Sequence, residues 1–328
     1  MITVNLYPIK NANGLFWYAI DFLRNAPKNT RILCRAQHET LLRSQLPDAE
    51  IIACDFKKML YHITGTWFKG HRLIAFTPHP VPFFRNQAIV VHDDFPFLGS
   101  YGRFKRLLFA LGAASSSCKV GYTNRSNAEK FIDAVGIPQR NKFYISNPTP
   151  QIQDSVRREA CHDNAKHKIG LFGTDSPKKQ YGPLLESAKK FGKLPSCHFL
   201  IYGTENYYTR ALRTAYPDAQ LEVINSSEID MVTFLNSIDF AVSCSIGEGF
   251  GRPIALALSM GIPAFLLDCE VFREFYNRAA VFYANIDQLW EKIEAPLPAG
   301  VSQYWMQTRC ELQNAVDAGA EILWENAR

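Results

Sequence analysis

One stretch combines residue types that hold an anion with one that can grip a polar substrate: SCSIGEGFGRP, residues 243–253. It follows the apolar run FAVSC (240–244), which reads as a buried strand, and it opens a helix. Pro253 suits the first helical turn, where its missing N–H forfeits nothing. Gly249 and Gly251 let the backbone approach a ligand closely, and the helix start offers free N–H groups to a negative charge. Glu248 stands at the carboxyl edge of the strand, where its carboxylate can face a cleft. The same glycines would also serve a plain tight turn between strand and helix, so the spacing by itself leaves both readings open.

The elements that must position this stretch are legible along the whole chain. In the first half, ITVNLY (2–7), RILCR (31–35), EIIAC (50–54), RLIAF (72–76), AIVVH (88–92), KVGY (119–122) and KFYIS (142–146) read as strands. Leu15, Tyr18, Ala19, Phe22 and Leu23 form the stripe of a helix packed on a sheet. Asn124 to Val135 reads as another helix, stopped by Gly136 with Pro138 just beyond. SNPTPQIQDS (146–155) breaks the alternation and places a domain boundary at 150/151. The pattern restarts with KIGLFG (168–173), HFLIYG (198–203), LEVI (221–224), FAVSC (240–244), IPAFLL (262–267) and AVFY (280–283). Helices are expected between them at about 178–192, 205–215, 227–237, 253–260 and 270–277. Strand–helix alternation of this kind builds parallel sheets. The expected fold class is therefore α/β, as two doubly wound Rossmann-like domains, 1–150 and 151–328, facing across a cleft. The last helical stretch, Gln303 to Asn326, is long enough to pack back on the first domain. Ligands are expected where the carboxyl ends of the strands meet the crevice.

Composition sets the class. At 328 residues, 47% apolar and 20% charged, the chain suits two globular cores. The start MITVNLYPIK lacks the apolar stretch of a signal peptide, and Ile254 to Leu267 is shorter than the roughly 20 residues that cross a bilayer. Eight cysteines without a C-x-x-C pair point to reduced thiols, a cytoplasmic setting and neither a zinc site nor a disulfide framework. Residues 1–150 hold 19 Lys and Arg against 9 Asp and Glu; the remainder holds 17 against 22. A basic first half suits an anionic membrane surface or an acidic acceptor, or is simply solvated charge. Nothing resembles a nucleic-acid recognition module. SYGRFKRLLFAL (100–111) joins Arg103, Lys105 and Arg106 to an apolar run, as a membrane-resting helix would. An ordinary sheet-packing helix with a basic first turn is the plainer reading.

The segment EGFGRPIALALSMGIP (248–263) resembles the donor-site motif of retaining GT-B glycosyltransferases of the family-4 type, the glycosyl transferases group 1. Glu248, Gly249, Phe250, Gly251, Pro253, Ala257, Gly261 and Pro263 fall in register with it. KIGLFGTDSPKKQYG (168–182) is similar to that family's first donor-domain strand and phosphate loop, with Gly173 followed by the basic pair Lys178 and Lys179. AIVVHDDF (88–95) resembles the strand that ends in His-Asp on the acceptor side, which makes His92 a site residue. NANGLF (11–16) resembles the glycine loop after the first strand, with Gly14 near the phosphates, and VGIPQRNKFYISNP (135–148) looks like the usual exit into the linker. The sequence departs from the family twice. Leu256 stands where a second Glu usually holds the ribose hydroxyls, and Thr174 stands where an Arg usually follows the phosphate-loop glycine.

The resemblance implies transfer of a sugar from a nucleotide-diphosphate sugar to a glycan or lipid-linked acceptor, with retention and without a metal. Lys179 would neutralise the leaving diphosphate, helped by Lys178, Arg252 and the amides of Gly249 to Gly251 and Gly14. Glu248 would hold donor-sugar hydroxyls, and His92 would lie near the reacting oxygen. No D-x-D pair of the metal-dependent kind occurs, since Asp93 and Asp94 are adjacent, and the histidines show no ligand spacing. Leu256 suits a deoxyribose donor such as a dTDP-sugar; alternatively, it marks a non-catalytic GT-B partner that binds glycan. An epimerase or hydrolase on the same scaffold would rest on His92 and Glu248. A dinucleotide-dependent dehydrogenase is disfavoured, because no G-x-G-x-x-G follows Val4 or Leu171.

Overall fold

Short runs rich in Val, Ile and Leu form strands here because parallel strands are covered on both faces and need no polar alternation. The structure, a computed structural model, describes residues 1–12, 14–114, 118–149, 166–174 and 177–325. Within them the chain divides into two units, Met1–Pro148 with Glu311–Arg328, and Thr149–Cys310. The boundary expected at 150/151 lies outside the described residues.

The first unit is a seven-stranded parallel sheet: β1 (Ile2–Asn5), β2 (Thr30–Arg35), β3 (Glu50–Cys54), β4 (Arg72–Ala75), β5 (Gln87–Val91), β6 (Lys119–Tyr122) and β7 (Lys142–Tyr144), in the order β3-β2-β1-β4-β5-β6-β7. Side-chain alternation sorts the helices onto two faces. Ile74, Ala88 and Val90 pack with α1 (Gly14–Leu23) and α2 (Ala36–Gln45). Their neighbours Leu73, Ala75, Ile89 and Val91 point to the other face, with α3 (Phe56–Phe68), α4 (Gly102–Ala113) and α5 (Lys130–Val135). The helix expected from Asn124 begins with a five-residue π-turn, Arg125–Glu129, before α5; Asn124 caps it, and Gly136 ends it at φ 83°. The Asn124 side-chain oxygen accepts from both the Asn127 and Ala128 amides.

The second unit repeats the design with six parallel strands: β8 (His167–Phe172), β9 (Cys197–Gly203), β10 (Gln220–Asn225), β11 (Phe240–Ser243), β12 (Ala264–Leu267) and β13 (Val281–Tyr283), ordered β10-β9-β8-β11-β12-β13. Its helices are α6 (Tyr181–Lys190), α7 (Tyr207–Ala215), α8 (Met231–Asn236), α9 (Arg252–Ser259), α10 (Glu270–Tyr276) and α11 (Gln288–Glu294). The long α12 (Val301–Trp324) follows. Its Trp305 is buried in the second unit, against Tyr276 and Ser259. Its Val316 and Leu323 join the first unit's core, each contributing about 1.5–3 kcal/mol by burial. Gly319 permits this docking, since a Cβ there would come within 2.6 Å of Ile145.

Both sheets have the doubly wound order, in which the chain leaves the middle of the sheet in opposite directions. The reversal falls between β1 and β4 in one unit and between β8 and β11 in the other. In each unit, the loops that follow these strands therefore stand at the reversal of strand order, where such folds take ligands.

Candidate functional site

The loops after β8 and β11 flank the second unit's reversal point, and they carry the sequence-singled residues. After β8 come Gly173 (φ 85°), Thr174 and a 3-10 turn, Pro177–Lys179. After β11 come Cys244 to Gly251, leading into α9. Two basic side chains cross from one loop to the other. Lys179 Nζ lies 2.5 Å from Glu248 Oε1, with the two side chains only 16% and 18% exposed. Lys178 Nζ donates to the Gly247 carbonyl at 3.4 Å. A lysine and a carboxylate so far apart in sequence are thus brought to one point.

Holding that point costs backbone strain. Gln180, though not glycine, sits at φ 55°, and its amide donates to the Cys244 carbonyl at 2.6 Å. Left-handed backbone at such a residue costs about 1–3 kcal/mol unless its surroundings fix it. Gly251 caps α9 at φ 80°, and Pro253 occupies the first turn as expected.

Three tyrosines that sequence reasoning missed brace the same loops. The Tyr181 hydroxyl lies 2.9 Å from both the Phe172 and Gly173 carbonyls. The Tyr283 hydroxyl donates to the Ser243 carbonyl at 2.8 Å and lies 3.1 Å from Cys244 Sγ. The Tyr276 hydroxyl donates to the Phe250 carbonyl at 2.8 Å. Burial raises the Tyr276 and Tyr283 pKa values well above the ordinary phenol, with the Glu248 charge adding to the effect at Tyr276. Burial likewise pushes the Cys244 thiol up to about 12. The three groups stay protonated, and the two tyrosine hydroxyls act as fixed donors. Tyr276→Phe should leave the Phe250 carbonyl without its partner and lower unfolding free energy by about 1–3 kcal/mol. Denaturant unfolding checks this, and a wild-type midpoint would show that the hydroxyl braces nothing.

Other singled residues take less direct positions. The Phe250 ring is buried, edge-on to Phe275 at 4.8 Å, so its side chain belongs to the core. Thr174 is buried; its hydroxyl donates to the Thr204 carbonyl at 2.7 Å, tying its loop to the start of the β9–α7 connection. Arg252 and Leu256 lie one turn apart on α9, both half-buried.

In the first unit, Gly14 begins α1 and is exposed. His92 directly follows β5; its ring packs edge-on to Tyr18 at 4.4 Å, and its carbonyl accepts from the Asn124 amide at 2.7 Å. Asn127 in turn holds Asp94 through both backbone and carboxylate. Asn124 and Asn127 therefore fix the turn that presents His92. Among the described residues, no group of three or more His, Cys, Asp and Glu is placed to hold a metal ion. No described helix is long and apolar enough to cross a membrane.

Known proteins similar to this chain are glycosyltransferases. Residues 166–297 match the family model described as glycosyl transferases group 1. Over 90% of its length the chain is 24% identical to the O-antigen chain mannosyltransferase RfbU of Salmonella typhimurium, of which 91% is covered. Anabaena HepE, solved with UDP and glucose, superposes with a TM-score of 0.76 at 14% identity, covering 98% of each chain. WaaG, a glycosyltransferase involved in lipopolysaccharide biosynthesis, gives a TM-score of 0.69 at 13% identity, covering 99% of this chain and all of its own.

Proposed function

We propose, from the match of residues 166–297 to the glycosyl transferases group 1 and from the GT-B fold, that this chain is a member of that family with a specific reaction. It moves a sugar from a nucleotide-diphosphate sugar to a glycan or lipid-linked acceptor during synthesis of a bacterial surface polysaccharide. The observation that carries the reading is the Lys179–Glu248 pair at the reversal point of the second sheet.

Cleaving a glycosyl phosphate builds negative charge on the leaving diphosphate and positive charge on the anomeric carbon, and a preorganised site must meet both. Lys179 supplies a cation already fixed in place, and Lys178 and Arg252 supplement it. The amides from Gly249 to Gly251, at the start of α9, add oriented dipoles. Glu248 accepts hydroxyls of the donor sugar. His92 serves as a hydrogen-bonding group to the reacting sugar. Retention follows if the leaving phosphate accepts the acceptor's proton on the face it departs from. Fixed lysines and helix dipoles perform the neutralisation that a divalent ion performs elsewhere, so transfer needs no metal.

Leu256 puts a hydrocarbon where a ribose-binding carboxylate would stand, which favours a deoxyribose donor of the dTDP type. RfbU's activity makes mannose the first sugar to try. Titrating the protein with dTDP, UDP and GDP tests the site: dTDP should raise the melting temperature at least as much as the others. A clear ribonucleotide preference removes the account of Leu256. No response to any nucleotide instead favours a non-catalytic glycan-binding partner, the reading to which Leu256 and Thr174 lend weight. Radiolabelled sugar transfer that persists in excess EDTA completes the test, and its loss there would refute metal independence.

A further inference from the structure

Three strands of the first sheet end around one arginine. In β2, Leu33 packs on the side of the sheet that α3 covers, and Arg35, two residues on, shares that side at the strand's carboxyl end. Its guanidinium lies 4.5 Å from the centre of the Tyr7 ring, and its Nε donates to the Tyr7 carbonyl at 2.9 Å. Tyr7 follows β1, beside the reversal of strand order, and Phe56 opens α3 just after β3. The two rings are 6.5 Å apart, and Phe56 leaves 59% of its surface to water. The loop that carries Tyr7 is tied down at several points. The Tyr7 amide donates to the Asn5 side chain at 3.1 Å, the Leu6 amide to the Leu33 carbonyl at 2.8 Å, and the Gln37 side chain to the Lys10 carbonyl.

A guanidinium meets a planar anion along one of two edges, Nε with one Nη, or the two Nη nitrogens together. Here Nε is engaged by the Tyr7 carbonyl and one face is covered by the ring, so the Nη pair is the edge left open. Among the described residues no carboxylate pairs with it. Glu39 on α2 holds Arg43 at 2.8 Å, and Glu50 holds Arg31 at 2.8 Å. The Asp55 carboxylate accepts the Lys58 amide at 2.7 Å and so caps α3. Lys10, Lys57 and Lys58 are exposed and add positive charge to the loop and to the first turn of α3. Stacking on Tyr7 fixes the fork in one orientation, which leaves less rotamer freedom to lose on binding.

A fixed fork beside an exposed ring fits an anion carried on a sugar. The fork takes two oxygens of a carboxylate or a phosphate, and Phe56 offers an apolar face to the C–H side of a pyranose. We propose that Arg35, Tyr7 and Phe56 form a subsite for a negatively charged residue of the acceptor saccharide, a hexuronate or a sugar phosphate. The proposal rests on the sugar-transfer reading and adds the class of acceptor to it.

The test needs neither donor nor turnover. Methyl glucuronide, glucose 6-phosphate and methyl glucoside are titrated into the full chain and followed by ligand-observed NMR. The two charged sugars should bind about tenfold or more tightly than the neutral one, the size of a charged hydrogen-bond contact, and the tighter of the two names the anion. Arg35→Gln should remove that difference and leave the neutral sugar's affinity unchanged. Arg35→Lys keeps the charge without the fork and should keep only part of the difference. Phe56→Ser should weaken all three sugars alike. Phe56 is exposed and Arg35 half-buried, so the variants should melt close to the wild type and bind nucleotide as it does. Equal affinity for charged and neutral sugars overturns the inference, as does a preference that survives Arg35→Gln. Nucleotide affinity that falls in Arg35→Gln would assign the arginine to the donor diphosphate and overturn it too. Nucleotide binding by the wild type tests the sugar-transfer reading separately. A chain that binds nucleotide without preferring charged sugars keeps that reading and loses the subsite; one that prefers charged sugars and ignores every nucleotide keeps the subsite and loses the reading.

Discussion

Lys179→Ala is expected to lower kcat/KM for sugar transfer at least about 100-fold, near 2.7 kcal/mol of barrier. The argument rests on where the lysine stands. Its ammonium is held 2.5 Å from Glu248 and largely screened from water, so the site holds a cation before any donor arrives. Charge fixed in advance costs no reorganisation when the diphosphate departs. Removing the lysine also leaves the Glu248 carboxylate without its partner, facing a ligand of its own sign. Nucleotide affinity should therefore fall together with turnover. Glu248→Ala should behave differently. Transfer falls by a similar factor because the donor sugar loses its anchor, but nucleotide affinity holds or rises because Lys179 is released from its ion pair. The double variant should bind nucleotide better than Lys179→Ala alone, the non-additivity expected of groups in contact. Calorimetric titration of nucleotide and initial-rate kinetics on the three variants separate these outcomes. Wild-type turnover in either single variant would falsify the roles assigned to the pair.

Much of this was legible in the sequence because parallel strands announce themselves. Each apolar run marked as a strand is one, with ends displaced by a residue or two. The run AIVVH illustrates why: pairing to β6 stops at Val91, and His92 turns out of the ladder to be held by Asn124. Hydrophobic pattern reports burial, and in other runs burial continues past the last ladder residue, as at Leu6 after β1 and Ile145 after β7. The glycines around Glu248 were legible for the opposite reason, since a left-handed cap such as Gly251 leaves few residue choices. The braces were not legible. Tyr181, Tyr276 and Tyr283 each sit in an apolar context, and their rings are core; only the fold shows their hydroxyls meeting loop carbonyls. The Lys179–Glu248 contact likewise spans 69 positions and emerges only from the strand order. For residues 100–111 the packed-helix reading is met by Phe109, Gly112 and Ala113, which are buried, while Phe104, Leu107, Leu108 and Leu111 are exposed on the other side of α4.

Gly251→Val should lower the melting temperature by roughly 6–12 °C and abolish measurable transfer. At φ 80° and ψ 55° this residue caps α9 in the left-handed region, where a β-branched side chain is strained by about 1–3 kcal/mol. Space is short as well. A Cβ at this position would lie 3.3 Å from Phe272, whose side chain is fully buried and has little room to retreat. Crowding of this kind costs a further 1–3 kcal/mol or so. A combined loss of about 3 kcal/mol corresponds to the stated shift for a domain of this size. The loop can relieve the strain only by moving the amides from Gly249 to Gly251, and Tyr276, already bonded to the Phe250 carbonyl, resists that movement. Gly251→Ala offers the milder case, in which Phe272 yields by a few tenths of an ångström. It should remain folded at assay temperature and still lose about tenfold or more in transfer, because the amides at the helix start are displaced. Scanning calorimetry and the transfer assay on both variants read the two effects separately. If Gly251→Val melts with the wild type, or Gly251→Ala turns over normally, the amides at the start of α9 do not form part of the site.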